Sequence, residues 1–350
     1  MKIKQISHFK SHYGEELFGS LPSNEAVYQY TLANKNGMQM QVINYGATIT
    51  GLKMTLKSGE IVDVVLGFDS LDAYIDSFGL QSPPYFGATI GRFAGRINEG
   101  EFVLNDEKIV LHKNNGNHSL HGGAESFSQK IWSVKNINKN KNPSITFTHV
   151  SPDGEENYPG ELQVDLTYTL SEDNELSIEY VARTTKDTVV NLTHHSYFNL
   201  DGHDSNVLEQ ELIVNSTKTL QKTNEGIPTG WILNIANFPY DFSSPKSCPE
   251  IIDNTFVLNR KEEFAASLFN KKNKLKMSVY TNQPAVHIYV GGNCFGEIKG
   301  KENANYHPTS GICFETQNYP DAPNHGHFPS SILKENELYY HKTIYKFQSF

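Results

Sequence analysis

A chain of 350 residues with a formal net charge of -9 is long enough for a large hydrophobic core, and its acidic balance argues against a broad surface tracking phosphates, so nucleic acid is a poor partner. No apolar run approaches the roughly 18 residues of a membrane-spanning helix. With 18 Tyr, 20 Phe, 26 Gly and 15 Pro, residue usage favours strands and turns over helices.

The basic N-terminal stretch has no apolar region behind it, so a secretory signal is not expected. Cys248, Cys294 and Cys313 are odd in number and widely spaced, as expected of reduced thiols in a cytoplasm. Alternation over residues 27–32 and 38–44, with Asn36-Gly37 between, predicts a β-hairpin. A turn at 57–60 leads into a strand-like unit at 61–68. Residues 70–84 carry a serine cap and helix-like apolar spacing and end in two prolines, which predicts a short helix. Strands are expected at 145–150, 162–170, 176–183, 275–281, 286–290 and 338–347, and a second brief helix at 261–269. The polar run 136–142 reads as a hairpin loop. No repeat or linker divides the chain, so one mostly antiparallel β domain with sheets packed face to face is expected over residues 1–350.

Residues 191–202, NLTHHSYFNLDG, crowd His194, His195, Tyr197 and two asparagines between strand-like runs, a set of neutral hydrogen-bonding groups suited to a polar, uncharged ligand such as a sugar. Residues 87–102 set Arg92 and Arg96 four apart among glycines: one guanidinium could grip hydroxyls while the other packs, or both could be solvated. His121 stands in the loop NNGNHSLHGG. His112, His118, His121, His194, His195 and His203 could include a zinc site, but HExxH and cysteine pairs are absent and no metal is expected. Glu315 lies in an apolar-flanked strand, where burial of its face would make it a useful base; an exposed face is the commoner outcome. Asp253 and Gln283 carry the same ambiguity. With neither GxSxG nor GxGxxG, cofactor-free proton transfer is the remaining chemistry.

These motifs, in this order, resemble the aldose 1-epimerase family over essentially the whole chain: GATIGRFAGRINEGEF, NHSLHGG, SPDGEENYPGEL, NLTHHSYFNLDG, IPTGWI, DFSSP and GICFETQNYPDAPN. The resemblance implies an all-β fold, a large antiparallel β-sandwich of the galactose mutarotase type, and interconversion of the α and β anomers of free aldoses such as galactose and glucose, without a cofactor. It implies His195 as general acid and Glu315 as general base, with Arg96, His121, Tyr197, Asp253 and Gln283 contacting substrate. His195 would have to be protonated when substrate binds, which an ordinary histidine near pKa 6.5 nearly meets. A sugar is the expected partner, with no membrane, in a cytoplasmic monomer or homodimer. Gly95, His194, Asn254, Ala285 and His287 depart from the family's frequent choices. Two alternatives remain open: a sugar-binding module without turnover, and a modified substrate such as a hexose phosphate, for which Lys113 and Lys222 are the only basic hints.

Overall fold

The computed structural model describes residues 12–259, 263–292 and 296–350. Its chain opens as a five-stranded antiparallel meander, His12–Ser20, Ala26–Ala33, Gln39–Ile43, Thr48–Thr55 and Ile61–Asp63. The short helix follows at Leu71–Ser77, with the Ser70 hydroxyl accepting from the Ala73 amide at 3.3 Å as an N-cap. It stops well before Pro83 and Pro84, its end closed by the Phe78 amide on the Asp76 and Ile75 carbonyls.

Two larger antiparallel sheets make up the body. One has nine strands, running in space from Ser133–Asn138 through Glu175–Thr184 and Tyr339–Ser349 to Lys246–Ser247. The other has six: Tyr197–Phe198, Ile312–Gln317, Ala285–Val290, Ile252–Val257, Lys218–Lys222 and Pro228–Asn234, in that spatial order. Period-2 alternation decides what each face meets. In Leu162–Leu170 every second side chain is buried. Those residues pack in a single core cluster with Phe256, Val286, Ile288 and Phe314 of the six-stranded sheet and with Leu32, Met40 and Leu52 of the meander. The sheets therefore meet face to face, as an all-β sandwich. Among the described residues no helix is long and apolar enough to cross a membrane.

One expected element is of the other type. The helix expected at 261–269 is a strand, Phe264–Asn270, with Lys261 and Glu262 outside the described residues. It is hydrogen-bonded on both sides, to Glu211–Val214 and Leu275–Thr281, and ladder formation on both edges overrides a helical preference worth only tenths of a kcal/mol per residue. Cys248 and Cys313 are buried free thiols, and Cys294 lies outside the described residues.

Candidate active site

The outer face of the six-stranded sheet carries the chemistry. Register places Thr255 opposite His287 and His287 opposite Glu315, so these three form a row across neighbouring strands. The next row holds Asp253, Tyr289, Cys313 and Tyr197, and Gln317 extends a third. Above this face opens a cavity of about 440 Å³, within the range of roughly 300–1,000 Å³ usual for small-ligand pockets. His195, Glu315, Arg96, His121, Asp253, His287, Tyr289 and Gln317 all line it.

His195 reaches the cavity from the chain entering Tyr197–Phe198, held by its amide on the Ala88 carbonyl and by its carbonyl on the Gly87 amide. Its Nε2 lies 3.5 Å from Glu315 Oε1, and both side chains are almost fully buried. Nδ1 faces the Cys313 sulfur at 3.8 Å. Burial pushes the Cys313 thiol well up, so the sulfur stays protonated. Burial also pushes His195 below its ordinary value, and the Glu315 carboxylate only partly offsets this. The imidazolium is thus a minor form at neutral pH, scarcer than the sequence suggests, and a stronger acid when it forms.

His121 is placed by a strained loop. It adopts φ +53, and its amide donates to the Gly95 carbonyl at 3.1 Å while the Gly95 amide donates to its Nδ1 at 3.3 Å. Accepting at Nδ1 leaves the proton on Nε2, a donor for the cavity. Burial first, then the charges of His195, Arg96 and His287, push His121 well below its usual range, so the ring is neutral. Asn114 pins the same loop, its amide donating to the Leu120 and Gly123 carbonyls at 2.9 Å and its oxygen accepting from the Leu120 amide.

The two arginines separate cleanly. Arg92 is buried, and its guanidinium donates to the Ser151 hydroxyl and to the carbonyls of Ser151, Pro152, Pro159 and Gly160 at 2.7–3.1 Å, which makes it a clamp on the 151–160 turn. Arg96 turns into the cavity, its Nε held by Asn115 at 3.0 Å. On the far wall Asp253 Oδ1 meets His287 Nε2 at 2.9 Å and Oδ2 meets Lys222 Nζ at 2.8 Å. Burial alone would raise the Asp253 pKa, but the His287 hydrogen bond and charge and the Lys222 ammonium outweigh it and hold the carboxyl well below the usual range.

The aldose 1-epimerase family description matches residues 28–346. The chain belongs to the aldose 1-epimerase family. It is 39% identical to the galactose mutarotase of Bos taurus over 95% of this chain and 97% of that one. To the aldose 1-epimerase of Haemophilus influenzae it is 34% identical, over 92% and 96%. Among solved structures it resembles an aldose epimerase homologue from C. elegans with TM-score 0.84 at 28% identity, covering 97% of this chain and 99% of that one. The galactose 1-epimerase of Lactobacillus acidophilus matches with TM-score 0.83 at 26% identity over the same shares. The chain is accordingly an enzyme, an isomerase with mutarotase activity.

Within this epimerase, two of the expected substrate contacts lie elsewhere. Gln283 stands in the turn before Ala285–Val290, bonded to Asn282 and facing a separate hollow; the positions on that strand that reach the cavity are His287, opposite Glu315, and Tyr289. Tyr197 is fully buried behind His195, its ring 5.3 Å from the imidazole and 4.9 Å from Phe86, and does not line the cavity. Gln317, buried with Oε1 lacking a hydrogen-bond partner, was not anticipated, although its place two residues after Glu315 on one strand puts it on the same face. His287 carries no such signal, because strand register is not written in sequence.

His118, His112 and His203 are used elsewhere: His118 accepts from the Glu99 amide, His112 pairs with Glu156, and His203 lies by Asp63. Among the described residues the cluster with metal-ligand geometry is His121, His195 and Glu315, whose ligating atoms lie within 4.8 Å of one another. The same three side chains line the cavity.

Proposed function

We propose that this cavity binds a free aldose such as galactose or glucose and opens its ring, with Glu315 as general base and His195 as general acid. The observation that carries the reading is the buried 3.5 Å approach of His195 Nε2 to Glu315 Oε1. O1 and O5 of the sugar are both bonded to C1, so acid and base must reach two atoms one carbon apart, and this pair does. Glu315 takes the C1 hydroxyl proton, the C1–O5 bond breaks, and O5 takes the proton of the imidazolium. Rotation about C1–C2 and the reverse transfers close the ring on the other face. Arg96, His121 and Asp253 hold hydroxyls, joined by Gln317, while Tyr197 backs the His195 ring.

The neutralisation of Lys222 by Asp253 and the exposure of Lys113 outside the cavity speak against a phosphorylated substrate. A matched acid and base speak against binding without turnover. The buried free thiols Cys248 and Cys313 accord with a reducing compartment such as the cytoplasm. Polarimetric relaxation of fresh α-D-galactose and α-D-glucose tests the roles: Glu315→Gln and His195→Asn each slow the catalysed rate by about 10²- to 10⁴-fold. Undiminished acceleration by either variant removes the mechanism.

A further inference from the structure

The far wall of the cavity holds a chain of side chains that proton transfer does not use. The Thr255 hydroxyl lies 2.8 Å from His287 Nδ1, and His287 Nε2 lies 2.9 Å from Asp253 Oδ1. The other carboxylate oxygen meets Lys222 Nζ at 2.8 Å, and the same ammonium touches the Asp253 carbonyl. Thr255 is itself fixed, its carbonyl accepting from the Thr219 hydroxyl at 3.0 Å. Thr255 and Asp253 lie two apart on one strand and so face the same way, and His287 on the neighbouring strand spans both.

We propose that His287 is a positioning residue for sugar binding: with Nδ1 on the Thr255 hydroxyl, its Nε2–H fixes the Asp253 carboxylate against Lys222 and sets the direction in which Asp253 meets a substrate hydroxyl. The inference rests on the cavity being the sugar site. A carboxylate tied at one oxygen still swings about its terminal torsion; tied at both, it cannot. Each oxygen has a second lone pair, so the fixed carboxylate keeps acceptor capacity for the cavity. Orientation is then set before the sugar arrives, and binding does not have to supply it.

Asp253 sits two strands from Glu315, roughly 10 Å at about 4.8 Å per strand, so it holds the part of the sugar away from C1. Its contact is alike in ground and transition states, and its loss falls on KM more than on kcat.

The test is steady-state mutarotation kinetics for wild type, His287→Phe, His287→Gln, Asp253→Asn and the Asp253→Asn/His287→Phe double variant, with thermal melts as a check on folding. Phe keeps the ring's bulk without its nitrogens and raises KM about tenfold with kcat within about threefold. Gln, whose amide can donate to Oδ1, restores most of the wild-type KM. In the Asp253→Asn background, His287→Phe adds no further loss, because its partner is already gone. Independent, multiplying losses, or a loss confined to kcat, overturn the positioning role while leaving the sugar reading intact. A wild type that fails to accelerate mutarotation overturns both. Should His287→Phe not fold, His287→Gln against Asp253→Asn decides: a KM rise in Gln matching that of Asp253→Asn overturns the proposal.

Discussion

His194 and His195 are adjacent, yet alternation turns them to opposite sides. His194 pairs with Thr89 and packs edge-on against Tyr168 of the nine-stranded sheet, its nitrogens without a well-formed hydrogen bond, and burial pushes it down to about 3. It is a neutral core group and not a second acid. For His195 the lowered pKa carries a kinetic sign. The imidazolium fraction is complete below the folded pKa and is lost as pH rises through it, and that pKa lies under 6.5. The alkaline limb of kcat/KM is therefore expected to have its midpoint below pH 6.5, falling toward tenfold per pH unit beyond it. A pH profile of mutarotation with a midpoint at or above 6.5 contradicts the assignment.

At the scale of elements, strands supply the wall and loops bring residues over it. The His121 loop depends on Gly122, at φ +91, where an added Cβ would stand 2.0 Å from the Gly91 carbonyl oxygen, a backbone atom that cannot swing aside. Gly122→Ala is expected to destabilise by more than about 1 kcal/mol and to displace His121. A melting curve and kcat/KM should fall together, whereas full activity at unchanged stability would show that the loop is not fixed there. Gly95 follows the same logic: at φ +78 its added Cβ would crowd Pro320, which lines the cavity, at 2.9 Å. The strand at Phe264–Asn270 shows the converse, a local pattern overridden by partners on both edges.

Across the whole molecule, burial that joins the sheets also makes the fold sensitive to acid. His194 and His341 are both pushed down to about 3 by burial. Each binds a proton near 6.5 when unfolded, so between pH 6.5 and 3 the unfolded chain gains protons that the folded one refuses, and stability falls as pH falls. At pH 4.5 this amounts to roughly 2–3 kcal/mol per histidine. Glu155 adds to it lower down: burial raises it, but the nearby His149 ring, the Ser151 hydroxyl that donates to it and the Lys130 charge outweigh this and hold it at about 2, so its share is lost as pH falls below about 4.5. Urea unfolding between pH 7 and 4.5 should show this decline, and His194→Asn should show a shallower one. Equal slopes in the two proteins count against a neutral His194.

Alternation, capping and turn chemistry act within a few residues, so the β class, most strand positions, the capped helix and the family motifs are legible in the chain. The sequence also names His195, Glu315, Arg96, His121 and Asp253, all of which line one cavity. Which arginine faces inward, that His287 and not Gln283 reaches the cavity, that Tyr197 stands behind the imidazole, and that Gln317 joins the wall were decided only by tertiary structure. Those depend on register between strands far apart in the chain, and on what covers each sheet face, and neither is encoded in local periodicity.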